Sequence, residues 1–403
     1  VSTALLMEEH GRMSKQAEFK ADALREQLIK WRRDFHMHPE LGFQEHRTAG
    51  IIADQMQELG FRVQTGIANT GVVGLLDGRE PGPVVMIRFD MDALPIAEEN
   101  QVPYASRNPG VMHACGHDGH LAIGLGIATL MAQYRDRMVG TLKLVFQPGE
   151  EGMNGAEKMV QEGVMENPRP DVVFAAHLWN NLPAGTIDVT PGPIMAAADR
   201  WACSVRGIGG HGAMPDQTVD PIVATAQIVV ALQTIVSRNV SPLDTAVIST
   251  GTVHGGDAFN VIPGRVELTG TIRTFDPRTR DMVLQRMRDV IDGVATACGA
   301  QAELLVVPLT PAVVNGIEPT KVIRASAEAV VGPENVSSGE RTMVSEDAAF
   351  FLHEVSGCYF LLGAANPQRG LDASHHNPSF DFDENVLELG VAVLAHTCAH
   401  YLI

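Results

Sequence analysis

The chain has 403 residues, 45% apolar and 19% charged, with acidic side chains outnumbering basic ones 48 to 30. That length exceeds one ordinary hydrophobic core and predicts two domains. A net charge of −18 excludes binding to nucleic acid or an anionic membrane through a bulk field.

Five cysteines, odd in number and widely spaced, argue against a disulfide framework and for a reducing, cytoplasmic setting. The opening VSTALLMEEHGRMSKQ lacks a basic segment followed by a long apolar one, so it does not read as a signal peptide. No uninterrupted apolar run reaches the ~18 residues of a membrane span. A first helix is predicted over ADALREQLIKWRRDFHMHPE, stopped by Pro39, and a second over RTAGIIADQMQELG, closed by Gly60. Apolar runs VVMIRF (84–89), TLKLVF (141–146), DVVFAA (171–176) and GCYFLL (357–362) then read as buried strands. They alternate with helical patterns such as HLAIGLGIATLMAQY and ENVLELGVAVLAHTCAHYLI. This predicts an α/β fold, a mixed sheet flanked by helices.

From about Asp199 to Pro311 the order becomes strand, helix, strand, strand, helix, strand. That βαββαβ order is the split, ferredoxin-like motif. It predicts an inserted domain over 199–311, with 1–198 and 312–403 forming the other. The junctions TPGPIMAAAD and VPLTPAVVNG carry the Pro and Gly of hinges.

Ligands of open α/β sheets collect beyond the carboxyl ends of the strands. VVMIRF is followed by Asp90 and Asp92, TLKLVF by Gln147, Glu150 and Glu151, and DVVFAA by His177. HACGHDGH (113–120) stands before a helix, whose positive end, like a metal, is expected to lower the Cys115 pKa towards the metal-binding thiolate. Singly, each feature has an ordinary explanation. A lone histidine usually serves a structural hydrogen bond, tandem acids usually face solvent, and HACGHDGH lacks zinc-finger spacing. Glu150 and Glu151, however, sit between glycines in QPGEEG and would repel each other in a cleft unless one held a cation. Together at one sheet edge, these groups predict a metal site.

HPELGFQE, DMDALPI, HACGHDGH, FQPGEEG, AAHLW, GGHGAMP, DAFNVIP, GTIRTFD, SEDAAFF and HHNPSFDFDE occur in that order. From about residue 20 to the end, this set resembles the M20 metallopeptidase family. The branch it resembles is that of the N-acyl-amino-acid amidohydrolases, with hippurate hydrolases and plant indoleacetyl-amino-acid hydrolases. The resemblance implies a catalytic domain holding two divalent ions, zinc or manganese, with cobalt and nickel also admitted. Cys115 would bridge them, His117, Glu151, His177 and His376 would complete the ligands, and Glu150 would be the general base. His376 rather than His375 is the match, since the family ligand directly precedes Asn-Pro or Ser-Pro; whether His375 also takes part stays open. Asp90 and Asp92 are expected to orient a ligand imidazole, and Asp118 to do so for His117. His113 and His120 then read as neighbours rather than ligands.

The resemblance further implies that His211 of GGHGAMP donates to the oxyanion from a neighbouring subunit of a homodimer. Asn260 and Arg273 would hold the substrate carboxylate. The implied reaction is hydrolysis of an N-acyl amino acid to a carboxylic acid and a free amino acid, with Glu150 moving the proton of a metal-activated water. One rival is a carboxypeptidase or dipeptidase using the same centre. Another is a non-catalytic binding protein with a structural metal closed by four ligands. A spare carboxylate, Glu150, beside the ligand Glu151 favours the enzyme.

Overall fold

A computed structural model describes residues 19–403; the segment read for a signal peptide lies outside the described residues. The chain divides into two compact units. Among the described residues, one comprises 19–192 with Val314–Glu340 and Phe350–Ile403; the other comprises Pro193–Val313 with Arg341–Ala349.

The larger unit is built on an eight-stranded mixed sheet. Its strands include β1 (Arg62–Ile67), β2 (Gly71–Asp77), β3 (Glu80–Asp90), β4 (Val139–Gln147) and β5 (Val172–Pro183). At the centre β4, β3, β5 and the strand Gly357–Ala365 run parallel. Every residue of Gly357–Ala365 is buried, because helices cover both faces of such strands; this is why these runs show no polar alternation. β2 and β1 add antiparallel to one edge, and Ile187–Asp188 and Val336–Ser337 extend the other.

Helices α1 (Arg25–Met37), α2 (His46–Glu58) and α3 (His117–Tyr134) belong to this unit, as does Val386–Leu402. α3 is buried along nearly its whole length. Its glycines permit that: a Cβ on Gly124 would lie 2.6 Å from the Phe146 ring, and one on Gly126 would lie 2.6 Å from Val391. Leu121, Leu125 and Ile87 fill the layer between helix and sheet, each side chain contributing roughly 1.5–3 kcal/mol by burial. The start of α3 is thereby held at the carboxyl ends of β3–β5.

The smaller unit has strands β6 (Ala197–Arg206), β7 (Ala246–His254), β8 (Arg265–Thr274) and β9 (Gln301–Thr310), in the antiparallel order β7-β8-β6-β9. Helices α4 (Pro221–Arg238) and α5 (Pro277–Ala297) cover one face. Each begins with an aspartate cap and a proline at the first helical position. Asp220 accepts from Ile222 N and Asp276 from Arg278 N. α4 is long and apolar enough to cross a membrane by length and composition, with mean hydropathy 1.3. Its stripe of Ala224, Ile228, Leu232 and Ile235 is buried against Trp201, Cys203 and Leu268. That stripe packs against the sheet, while Ile222, Val223 and Val230 on the same helix are exposed.

This unit also takes in 341–349, which the sequence reading assigns to the other domain. Thr342 N donates to Ile194 O (2.9 Å) and Ala196 N to Val344 O (3.0 Å). Backbone pairing of so short a segment leaves no periodicity in the side chains to read.

Candidate metal centre

Three tight backbone turns bring the chemical groups together. Gly116, at φ +87°, stands between Cys115 and His117 at the start of α3. Gly149, at φ +59°, precedes Glu150. Both conformations suit glycine, and a Cβ on Gly149 would also meet the Phe43 ring at 3.1 Å. The buried Glu45 carboxylate pins this second turn, accepting from Gly149 N (3.0 Å) and the Thr70 hydroxyl (2.5 Å). The third turn places His376 at φ +65°, a costly conformation for a residue with a Cβ. Its N–H donates to Ala114 O (2.8 Å), tying the HHNP loop to the HACGHD loop.

The donor atoms of Cys115, His117 and His177 lie within 4.8 Å of one another, as do those of Cys115, Glu151 and His376, and those of His117, Glu150 and Glu151. Cys115 is common to the first two sets. Its Sγ lies 3.5 Å from His177 Nε2, and His376 Nε2 lies 3.2 Å from a Glu151 oxygen. His117 donates from Nδ1 to the backbone carbonyl of Asp92 (2.9 Å). Its Nε2 is buried with no hydrogen-bond partner among the described residues, 3.6 Å from Asp90 Oδ2.

The electrostatics call for positive charge. Burial, then Glu151, Glu150 and Asp90, push the Cys115 thiol well above its ordinary value. At His117 burial opposes the charge, but Asp90 and Asp92 raise the imidazole to about 10. Burial, then His120 and His375, lower His177. Cations would satisfy the carboxylates, ionise the thiol and take the unpartnered His117 nitrogen. The mixed sulfur, nitrogen and oxygen set therefore fits divalent metal.

The supporting residues differ from expectation. Asp118 does not orient His117. Its Oδ2 accepts from Arg32 Nε (2.8 Å) and sits 2.7 Å from His36 Nδ1. The reason is the fully buried Arg32, whose guanidinium also meets Asp381 (2.6 Å) and Glu384 (3.2 Å) and draws the carboxylate away. Asp92 serves His117 through its backbone carbonyl and through Oδ1, 3.5 Å from His117 Nδ1, while its Oδ2 accepts from Glu151 N (3.0 Å). Asp90 holds His120 (2.6 Å) and Arg88 (2.8 Å). His375 donates from Nε2 to Leu178 O (2.9 Å) and packs on Trp179, ring centroids 4.8 Å apart. Sequence reasoning missed Arg32, His36 and Glu45 in support; their partners lie far away in the chain. His120 carried a signal, standing three residues after His117 on one helix face.

In the smaller unit, His211 pairs with Val261 on a two-stranded ladder, and Gly212 N donates to Asn260 O (2.8 Å). These expected substrate-binding residues are thus neighbours. Arg273, on β8, is half-buried, and its Nη1 finds no partner among the described residues. Nearby Asp199 pairs instead with Arg280 (2.6 Å).

A family profile for Peptidase family M20/M25/M40 matches residues 86–400. The chain belongs to the M20 peptidase family. It is 49% identical over 283 residues to an N-acyl-L-amino acid amidohydrolase of Geobacillus stearothermophilus, covering 70% of this chain and 76% of that protein. It is 41% identical to an N-acetylcysteine deacetylase of Bacillus subtilis, covering 92% of this chain and 98% of that one. A dinuclear metal binding M20 peptidase of Bacillus subtilis superposes with a TM-score of 0.83 at 35% identity, covering 94% of this chain and 98% of that one. This M20 chain is an amidohydrolase of the aminoacylase type.

Proposed function

We propose that this M20 amidohydrolase cleaves the amide bond of N-acyl amino acids, releasing a carboxylic acid and a free amino acid. Two divalent cations, zinc or manganese, are held by Cys115, His117, Glu151, His177 and His376. The observation that carries this reading is the sharing of Cys115 by two donor sets, one with His117 and His177 and one with Glu151 and His376.

When bound, the cations supply Lewis acidity, lowering the pKa of water and polarising the amide carbonyl. Glu150 belongs to the cluster with His117 and Glu151. It takes the water proton and delivers it to the leaving nitrogen. His211 donates to the developing oxyanion from a second copy of the chain in a homodimer. The unpartnered Arg273 nitrogen suits a carboxylate, which it and Asn260 receive.

The test is a panel of N-acetyl, N-benzoyl and indoleacetyl amino acids alongside dipeptides, assayed with protein loaded with zinc or manganese. Faster turnover of the N-acyl amino acids is expected. Preference for dipeptides would make the protein a peptidase using the same centre.

A further inference from the structure

The Leu178 backbone meets three histidines, His120 at its N–H and His177 and His375 at its C=O. β3 pairs with β5 only as far as Ala175. Beyond it, imidazoles take up the Leu178 N–H and C=O, which cannot be left bare in a buried site. The N–H donates to His120 Nε2 (2.9 Å). A nitrogen that accepts carries no proton, so neutral His120 is protonated on Nδ1, 2.6 Å from Asp90 Oδ1. The carbonyl has no proton to give. His177 Nδ1, 2.6 Å from it, is therefore the donor, and His177 Nε2 keeps its lone pair towards Cys115. His120, His177 and Asp90 are all buried, so water does not compete for these bonds.

Both ring nitrogens of His120 are engaged, although its donor atoms lie within 4.8 Å of those of Asp90 and His117. We infer that His120 binds no metal and is a positioning residue. Braced by Asp90, it fixes the Leu178 backbone, whose carbonyl His375 also engages, and so holds His177 in the orientation and tautomer that present Nε2 to the cations. The inference rests on the assignment of His177 to the metal centre made above. Partners of this kind typically change metal affinity 10–100-fold.

The test is cobalt(II) titration of metal-free protein, followed by affinity and by the ligand-field spectrum. His120→Leu removes donor and acceptor; His120→Gln keeps both on one amide. Each is made in the parent and in a His177→Ala background. In the parent background, the Leu variant is expected to bind cobalt about 10–100-fold more weakly with an altered spectrum, and the Gln variant to recover most of the loss. In the His177→Ala background neither adds a further loss, because the residue they act through is gone. If the Leu variant does not fold, His120→Asn, whose amide is too short to span both partners, takes its place. Parent-like affinity and spectrum in the Leu or Asn variant would overturn the inference, as would an equal loss without His177. Parent protein that binds no cobalt would instead overturn the metal centre itself.

Discussion

Cys115 is a thiol held in its protonated form by its surroundings. Burial and the carboxylates of Glu151, Glu150 and Asp90 raise its pKa, and Asp90 with Asp92 raises His117 to about 10 against the opposing effect of burial. Both are therefore protonated at pH 7 in metal-free protein, and both must lose a proton to become ligands. Cation binding at pH 7 is expected to release about two protons from these groups, and affinity to rise with pH above 7. Calorimetry in buffers of different ionisation enthalpy checks this; binding without proton release would show that neither group is a ligand. Arg273 makes a second prediction at this scale. A lysine there keeps the charge but loses the planar fork. Arg273→Lys is expected to lower kcat/KM for an N-acyl amino acid roughly 10–100-fold, on the order of the energy of a charged hydrogen bond. It should have much less effect on the corresponding carboxamide, and steady-state kinetics on the two compounds measures the difference.

Between elements, the strongest buried connection runs from α1 to the start of α3. Arg32 pairs with Asp118, Asp381 and Glu384 and lies over the Tyr104 and Phe382 rings. Removing one partner of a buried ion network leaves uncompensated charge, at a cost of about 3–5 kcal/mol. Arg32→Met is expected to destabilise the metal-free protein by roughly that amount in chemical denaturation. A change under about 1 kcal/mol would mean that the carboxylates re-pair or hydrate. On β4, the buried Lys143 donates to Glu166 O (3.0 Å) and Pro168 O (2.9 Å), and burial lowers it to about 8. Its folded pKa lies below its unfolded value near 10.4, so between these values the unfolded chain binds more protons and stability rises with pH. The penalty is full below pH 8 and relieved above it. Parent protein should gain stability relative to Lys143→Met as pH rises from 8 to 10; parallel stability curves would contradict this.

At the scale of the whole molecule, the sequence reveals most where one physical constraint dominates. Central parallel strands must be apolar on both faces, so VVMIRF, TLKLVF and GCYFLL stand out as runs, and the polar groups after them mark the sheet edge. The βαββαβ order was legible for a similar reason, since alternating strand and helix periods separate cleanly. What stayed hidden depends on partners distant in sequence. Asp118 turns to Arg32, 86 residues away, and nothing local to HACGHDGH encodes that choice. The strands Ile187–Asp188 and Val336–Ser337 are too short to show a period. His120 is visible as a residue type, but the role proposed for it depends on the Leu178 backbone, to which no side-chain pattern points.

The most direct measurement of the central claim is the metal content and turnover of Glu150→Ala. That side chain is the proposed proton carrier, and Cys115, His117, Glu151, His177 and His376 are the proposed ligands of the cations. The variant should bind two divalent ions per chain, by elemental analysis after reconstitution, and hydrolyse an N-acyl amino acid about 100- to 10,000-fold more slowly than the parent. Parent-like turnover with both ions bound would contradict the assignment of Glu150 and the proton path drawn through it.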